Sequence, residues 1–214
     1  MTDAQSEHII FSDVQVYIND DLPANIDIVY VLRKIEAVIP EHLSYGVNTV
    51  EIGHNDEFEK RNINALYDNG TIHVTNNQDN NDDLIDDIVH ELAHSAEEIY
   101  YKHVYGGESL KNEFLGKRRR LSSLLRQENY NIDTKHFENI EFSKAFDDFL
   151  YKRVGYKLLT NITNGLFTSP YAATSLREYF ANGIEEFYLK DVKSLKKNSP
   201  VLYNKILILQ SMQE

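Results

Sequence analysis

The 214-residue chain contains no cysteine. Disulfide bonds and thiolate metal sites are therefore excluded, and the redox compartment is left open. It also lacks an apolar run long enough for a signal peptide or a membrane span, and its first eight residues are polar and acidic. The expectation is a cytoplasmic protein with no membrane partner; a secreted mature form that had lost a leader would look the same apart from Met1. No internal repeat and no Pro- or Gly-rich linker is present, and the short Asn/Asp-rich stretch 76–83 reads as a loop. Positive charge is scarce: 22 Lys and Arg face 34 Asp and Glu, a net charge of −12. Nonspecific nucleic-acid binding by the whole molecule is thereby disfavoured. What remains, 42% hydrophobic and 26% charged residues, fits a soluble globular chain. Its length suffices for one domain or two closely packed lobes.

The most informative stretch is His90-Glu91-Leu92-Ala93-His94. On a helix, residues four apart lie on one face, so His90 and His94 can aim two imidazoles at one ion. Glu91 can then reach a water beside that ion and act as its base, the pattern of zinc metallopeptidases. The flanking residues separate cleanly on a helical wheel. Ile85, Ile88, Val89, Leu92, Ala96 and Ile99 gather on one side, and Asp83, Asp87, His90, Glu91, His94 and Glu98 on the other. Residues 80–83 supply a cap and acids where a helix N-terminus prefers them.

Elsewhere the pattern predicts a strand over 8–18, a helix over 26–39 ended by Pro40, and a strand over 47–52. Two short runs, 62–67 and 71–75, flank Asp68-Asn69-Gly70, a hairpin signal. Helices are expected over 108–126, 140–157, 174–189 and 194–210. Strands followed by helices suggest an α+β fold, with an N-terminal α+β lobe over 1–104, a helical C-terminal lobe over 105–214 and a cleft between them.

A catalytic zinc needs a third protein ligand. Six residues after His94, where one large metallopeptidase group carries histidine, stands Tyr100. The later candidate is Glu178, which shares a helical face with Asn182 and Glu185; Glu185 is the alternative ligand. Ser175-x-x-Glu178 is also a capping box, in which Glu178 would merely bind the backbone at a helix start. Glu98, one turn after His94, and Asp87, one turn before His90, are candidates to orient a ligand histidine. Each is equally readable as a solvated helix acid.

With these residues in view, the chain resembles zincins with a glutamate third ligand, in particular the anthrax lethal factor-like catalytic domains and the Pro-Pro endopeptidases. The likeness rests on HExxH and on Tyr171, six intervening residues and Glu178-Tyr179-Phe180-Ala181. It also rests on the segment 65–74, similar to the strand pair before the metal helix in that group. It covers about residues 60–100 and 165–205. It implies a zincin-like single domain with a small twisted sheet, one catalytic Zn2+ held by His90, His94 and Glu178, Glu91 as base and Tyr171 as oxyanion donor. Asn182 would stand beside the ligands. The chain departs from the group at Ala93, where glycine is frequent, at Asn182, where an acid is common, and in a longer stretch between the two motifs.

The implied activity is hydrolysis of a peptide bond in a protein or peptide substrate. The strand Thr71, Ile72, His73 and Val74 is expected to offer the edge on which an extended substrate pairs. Lys117, Arg118, Arg119 and Arg120 read as a solvated basic helix face; the alternative is a docking patch for an acidic partner, nucleic acid included. Two rival functions follow: a nucleic-acid-stimulated protease, and a non-enzymatic zincin-like toxin, structural or binding module.

Overall fold

The computed structural model describes residues 6–61 and 63–213. Among the described residues the fold is α+β, with a five-stranded mixed sheet and eleven α-helices, and 61% helical. Two compact units emerge. One runs up to Tyr100 and takes in Met212; the other is Tyr101–Ser211.

The first unit carries the sheet. Its strands are β1 (Ser6–Ile10), β2 (Val14–Ile18), β3 (Thr49–Ile52), β4 (Ala65–Asp68) and β5 (Thr71–Val74), in the order β1-β2-β3-β5-β4. The inner pairs β2/β3 and β3/β5 are parallel, and the outer pairs β1/β2 and β4/β5 antiparallel. The single strand expected over 8–18 is thus a hairpin. Phe11 and Ser12 turn it at φ 50° and 67°, a left-handed conformation that non-glycine residues seldom adopt and that no Gly or Asn advertises. The second hairpin turns at Asn69 and Gly70, both at positive φ, as the Asn-Gly pair predicts.

Side chains alternate across the strands. Val16, Val50, Ile52, Ile72 and Val74 are buried, while Gln15, Thr49, Glu51, Thr71 and His73 are half-buried. The helices of this unit are α1 (Ile28–Val38), α2 (Asp56–Arg61) and α3 (Asn81–Ile99). Helix α1 buries Val31, Leu32 and Ile35; α3 buries Leu84, Ile85, Ile88, Val89 and Leu92 and packs on β4 and β5. Asn80 caps α3 by accepting from Asp83 N at 3.0 Å, and Asp82 and Asp83 sit at the positive end of its dipole. Ser95 lies so close to Gly46 that a Cβ there would meet its hydroxyl, so this loop approaches α3 closely one residue past His94.

The second unit is helical: α4 (Tyr101–Tyr105), α5 (Ser109–Gln127), α6 (Thr134–Glu138), α7 (Lys144–Asp148), α8 (Tyr156–Thr163), α9 (Leu176–Leu189), α10 (Val192–Asn198) and α11 (Pro200–Gln210). Helix α4 is tied into it by Lys205 on α11, whose Nζ bonds His103 O at 2.6 Å and Gly106 O at 3.1 Å. The helix expected over 140–157 is broken. Residues Phe149–Val154 are wound as a π-helix, and Gly155, at φ 87°, ends the run before α8. The helix expected over 194–210 is likewise two, because Pro200 has no N–H to continue α10 and instead opens α11.

Helix α5 organises this unit through charged side chains that face inward. The Glu113 carboxylate accepts from Tyr179 Oη at 3.0 Å and from the first N–H groups of α11, Val201 at 2.8 Å and Leu202 at 3.0 Å. Phe114 and Leu121 are fully buried beside it. Among the described residues no helix is long and apolar enough to cross a membrane.

Candidate metal centre

Helix α3 places His90 and His94 on one face, as their spacing requires, with ring centroids 4.9 Å apart and the rings nearly perpendicular. Glu91 lies on the same helix but is buried, 7% exposed, and its Oε2 accepts the Tyr67 N–H at 2.7 Å. The Tyr67 phenol in turn donates to Gly46 O at 3.1 Å. The base candidate is thus tethered to β4 and its carboxylate orientation is set by the sheet.

Glu178 lies in the first turn of α9. Ser175 caps that helix, its Oγ accepting from Glu178 N at 3.1 Å. One ligand atom each of His90, His94 and Glu178 lie within 4.8 Å of one another, a group that could hold a metal ion. Two imidazoles and a carboxylate are also a donor set that catalytic zinc accepts. Glu185, the alternative ligand, is paired with Lys190 at 2.9 Å.

The neighbours of the ligands divide differently from their sequence spacing. His94 Nδ1 faces Glu97 Oε2 at 3.6 Å, and Glu97 is 4% exposed, whereas Glu98 is exposed. At that distance the pair is a charge contact rather than a hydrogen bond, and it sets a buried acid beside the His94 ring. Glu97 was legible only as an i+3 acid after His94. Asp87 accepts from Gln78 Nε2 at 2.9 Å and so anchors the loop before α3. Asn182, 7% exposed, donates to Glu178 O at 3.0 Å and accepts from Ser169 Oγ at 2.5 Å. Ser169 Oγ also accepts Ala172 N, which binds the turn of Tyr171 to α9. Tyr171 itself opens that 3-10 turn, Tyr171–Ala173, and is 41% exposed. A further acid, Asp147, also lies near α9. Burial raises its carboxyl above the ordinary range; Asp148 adds to this, and Glu178 acts in the same direction.

Two expectations need correction. Thr71, Ile72, His73 and Val74 form β5, which is paired on both sides, with β3 and with β4. It has no edge for a substrate. Ile72 and Val74 are buried, and His73 pairs with Glu51 on β3 at 3.1 Å. The strand adjoining Glu91 that lies at the rim of the sheet is β4. The basic cluster is not one solvated face either. Lys117 and Arg118 are buried; Arg119 and Arg120 alone are exposed. The Lys117 ammonium bonds Leu166 O and, at 2.7 Å, Asn198 O. Burial pushes it down to about 8, against the opposing pull of Glu113. Burial also lowers the Arg118 guanidinium, to about 9, which leaves it charged at neutral pH. A docking patch built on Lys117, Arg118, Arg119 and Arg120 therefore loses two of its four cations to the interior.

Comparison with protein-family models, with curated proteins and with solved structures finds no match.

Proposed function

We propose that the chain is a zinc-dependent endopeptidase of the zincin type, resembling the lethal factor-like enzymes and Pro-Pro endopeptidases. The observation that carries the reading is the grouping of His90, His94 and Glu178 donor atoms, with the Glu91 carboxylate on the next residue of the same helix. In this reading His90, His94 and Glu178 hold one Zn2+, which acidifies water and polarises a peptide carbonyl when bound. Glu91 takes the proton of the attacking water and returns it to the leaving amine. Its tether to Tyr67 N–H leaves one oxygen engaged and the other for the proton. The Glu97 carboxylate faces the His94 ring, and the Tyr171 hydroxyl donates to the developing oxyanion. Burial of Glu91 supports the base role over a solvated helix acid, because a buried carboxylate with an aimed hydrogen bond is oriented before substrate arrives.

The test is a metal analysis joined to a peptide-library digestion. The purified protein should carry one zinc per chain, and chelation should abolish cleavage that zinc restores. Zinc-loaded protein that cleaves no peptide in a diverse library would reject the endopeptidase reading. A protein that takes up no zinc would reject the metal reading.

A further inference from the structure

Arg118 is the largest fully buried side chain of the fold, 1% exposed on α5. All the oxygens to which it is bonded are main-chain carbonyls. Nη1 donates to Ala173 O and, at 3.1 Å, to Thr174 O; Nη2 donates to His136 O at 2.6 Å and Asn139 O at 2.9 Å. Its plane lies among three rings, with Cζ 4.1 Å from the Phe146 centroid, 5.1 Å from Phe114 and 5.9 Å from Phe137. A cation held this way forgoes water for carbonyl dipoles and ring faces, and an apolar side chain of the same volume is often at least as stabilising in such a place. What an apolar residue cannot do is fix two chain segments at once. The guanidinium is a rigid planar fork, and its two ends here grip two separate stretches, 136–139 and 173–174.

The second of those stretches matters for the candidate centre. Ala173 closes the turn that Tyr171 opens, Thr174 follows it, and Ser175 caps the helix whose first turn bears Glu178. The same two stretches meet again one step on, where Leu176 N donates to Ile140 O at 2.8 Å. On the other side, Asn182 and Ser169 hold the turn at Ala172 N. The segment from Tyr171 to Glu178 is therefore held at successive main-chain atoms, and Arg118 supplies two of those points from a single side chain.

We propose that Arg118 is a positioning residue for the candidate metal centre: its guanidinium sets where the Tyr171 turn ends and α9 begins, and so where the Glu178 carboxylate stands. The inference rests on the zinc reading of His90, His94 and Glu178. A metal ligand displaced by a fraction of an ångström loses affinity, so the grip of Arg118 is read out as metal binding rather than as stability alone.

The experiment compares Arg118→Lys and Arg118→Ala with Leu121→Ala, a fully buried truncation on the same helix that leaves the clamp intact. Each variant is assayed at a temperature where circular dichroism shows it folded, and its zinc dissociation constant is measured by competition with a chromophoric chelator. Arg118→Lys keeps the charge but lacks the fork, and its zinc affinity should fall by about tenfold or more. Arg118→Ala should fall at least as far, and millimolar guanidinium should recover part of the loss by refilling the site. Leu121→Ala should melt lower yet bind zinc as wild type does. Wild-type zinc affinity in folded Arg118→Lys overturns the inference, as does an equal loss in Leu121→Ala. Should Arg118→Ala fail to fold, Arg118→Lys alone decides. If the wild-type protein binds no zinc, the underlying metal reading fails and takes this inference with it; if Glu178→Ala loses zinc while folded Arg118→Lys does not, only the inference fails.

Discussion

Glu91 separates catalysis from architecture, because its carboxylate has both a structural partner and a proposed chemical task. Oε2 accepts the Tyr67 N–H at 2.7 Å in a setting where Glu91 is 7% exposed. In Glu91→Gln the amide oxygen can keep that bond, and the Tyr67 N–H then orients the amide so that its NH2 stands where the second carboxylate oxygen stood. The structural change is a charged acceptor replaced by a neutral one, about 1 kcal/mol. For a chain of this length that lowers Tm by about 2–4 °C. The catalytic change is far larger, since an amide accepts no proton from water. Losing a general base costs about 10²–10⁴ in rate, or roughly 3–5 kcal/mol of barrier. Glu91→Ala removes the acceptor altogether and strands the Tyr67 N–H, costing about 1–3 kcal/mol of stability. The assay is kcat/KM on a quenched fluorescent peptide, with zinc content and thermal melting measured on the same samples. Glu91→Gln should be zinc-replete, near wild type in stability and inactive, with Glu91→Ala equally inactive but less stable. Turnover by zinc-loaded Glu91→Gln within tenfold of wild type would refute the base assignment.

Four further outcomes are expected. Glu178→Ala should lose zinc strongly in elemental analysis, whereas Glu185→Ala should keep it while losing the pair with Lys190; the reverse pattern would move the third ligand to Glu185. Tyr171→Phe should lower kcat by about 10²–10³ with KM, zinc content and stability little changed, and a kcat within twofold of wild type would leave Tyr171 a packing residue. Gly183→Ala should destabilise by about 1–3 kcal/mol in urea titration, since its Cβ would meet Leu202 Cδ2 at 2.5 Å, and an unchanged midpoint would show that α11 can shift aside. Lys117 gives a pH signature: its folded value, about 8, lies below the ordinary 10.5, so between these the unfolded chain binds more protons and stability should rise with pH, by about 1–2 kcal/mol from pH 8 to 9.5. Urea midpoints at the two pH values check this, and the rise should vanish in Lys117→Met.

Local periodicity determined much of this protein. The four-residue spacing of His90 and His94, the apolar stripe of α3, its Asn80 cap and the Asn69-Gly70 hairpin are all short-range consequences of backbone geometry, and each was legible without a structure. The candidacy of Glu178 as third ligand was legible as a pattern of residue types and outweighed the capping-box reading that competed with it in the chain alone. Only the tertiary structure gathers one donor atom of each of the three residues within 4.8 Å, a group that could hold a metal ion. It also buries Glu97 beside His94 and leaves Glu98 exposed, two acids that differ by one position, and so by 100° around the helix. The interior place of β5 could not be read from its residues, since which strands pair is a non-local choice. Nor could the burial of Lys117 and Arg118. A run of cations is read as surface because desolvating charge is costly. Here that cost is offset by carbonyls contributed from residues 136, 139, 166, 173, 174 and 198, which only the folded chain assembles around α5.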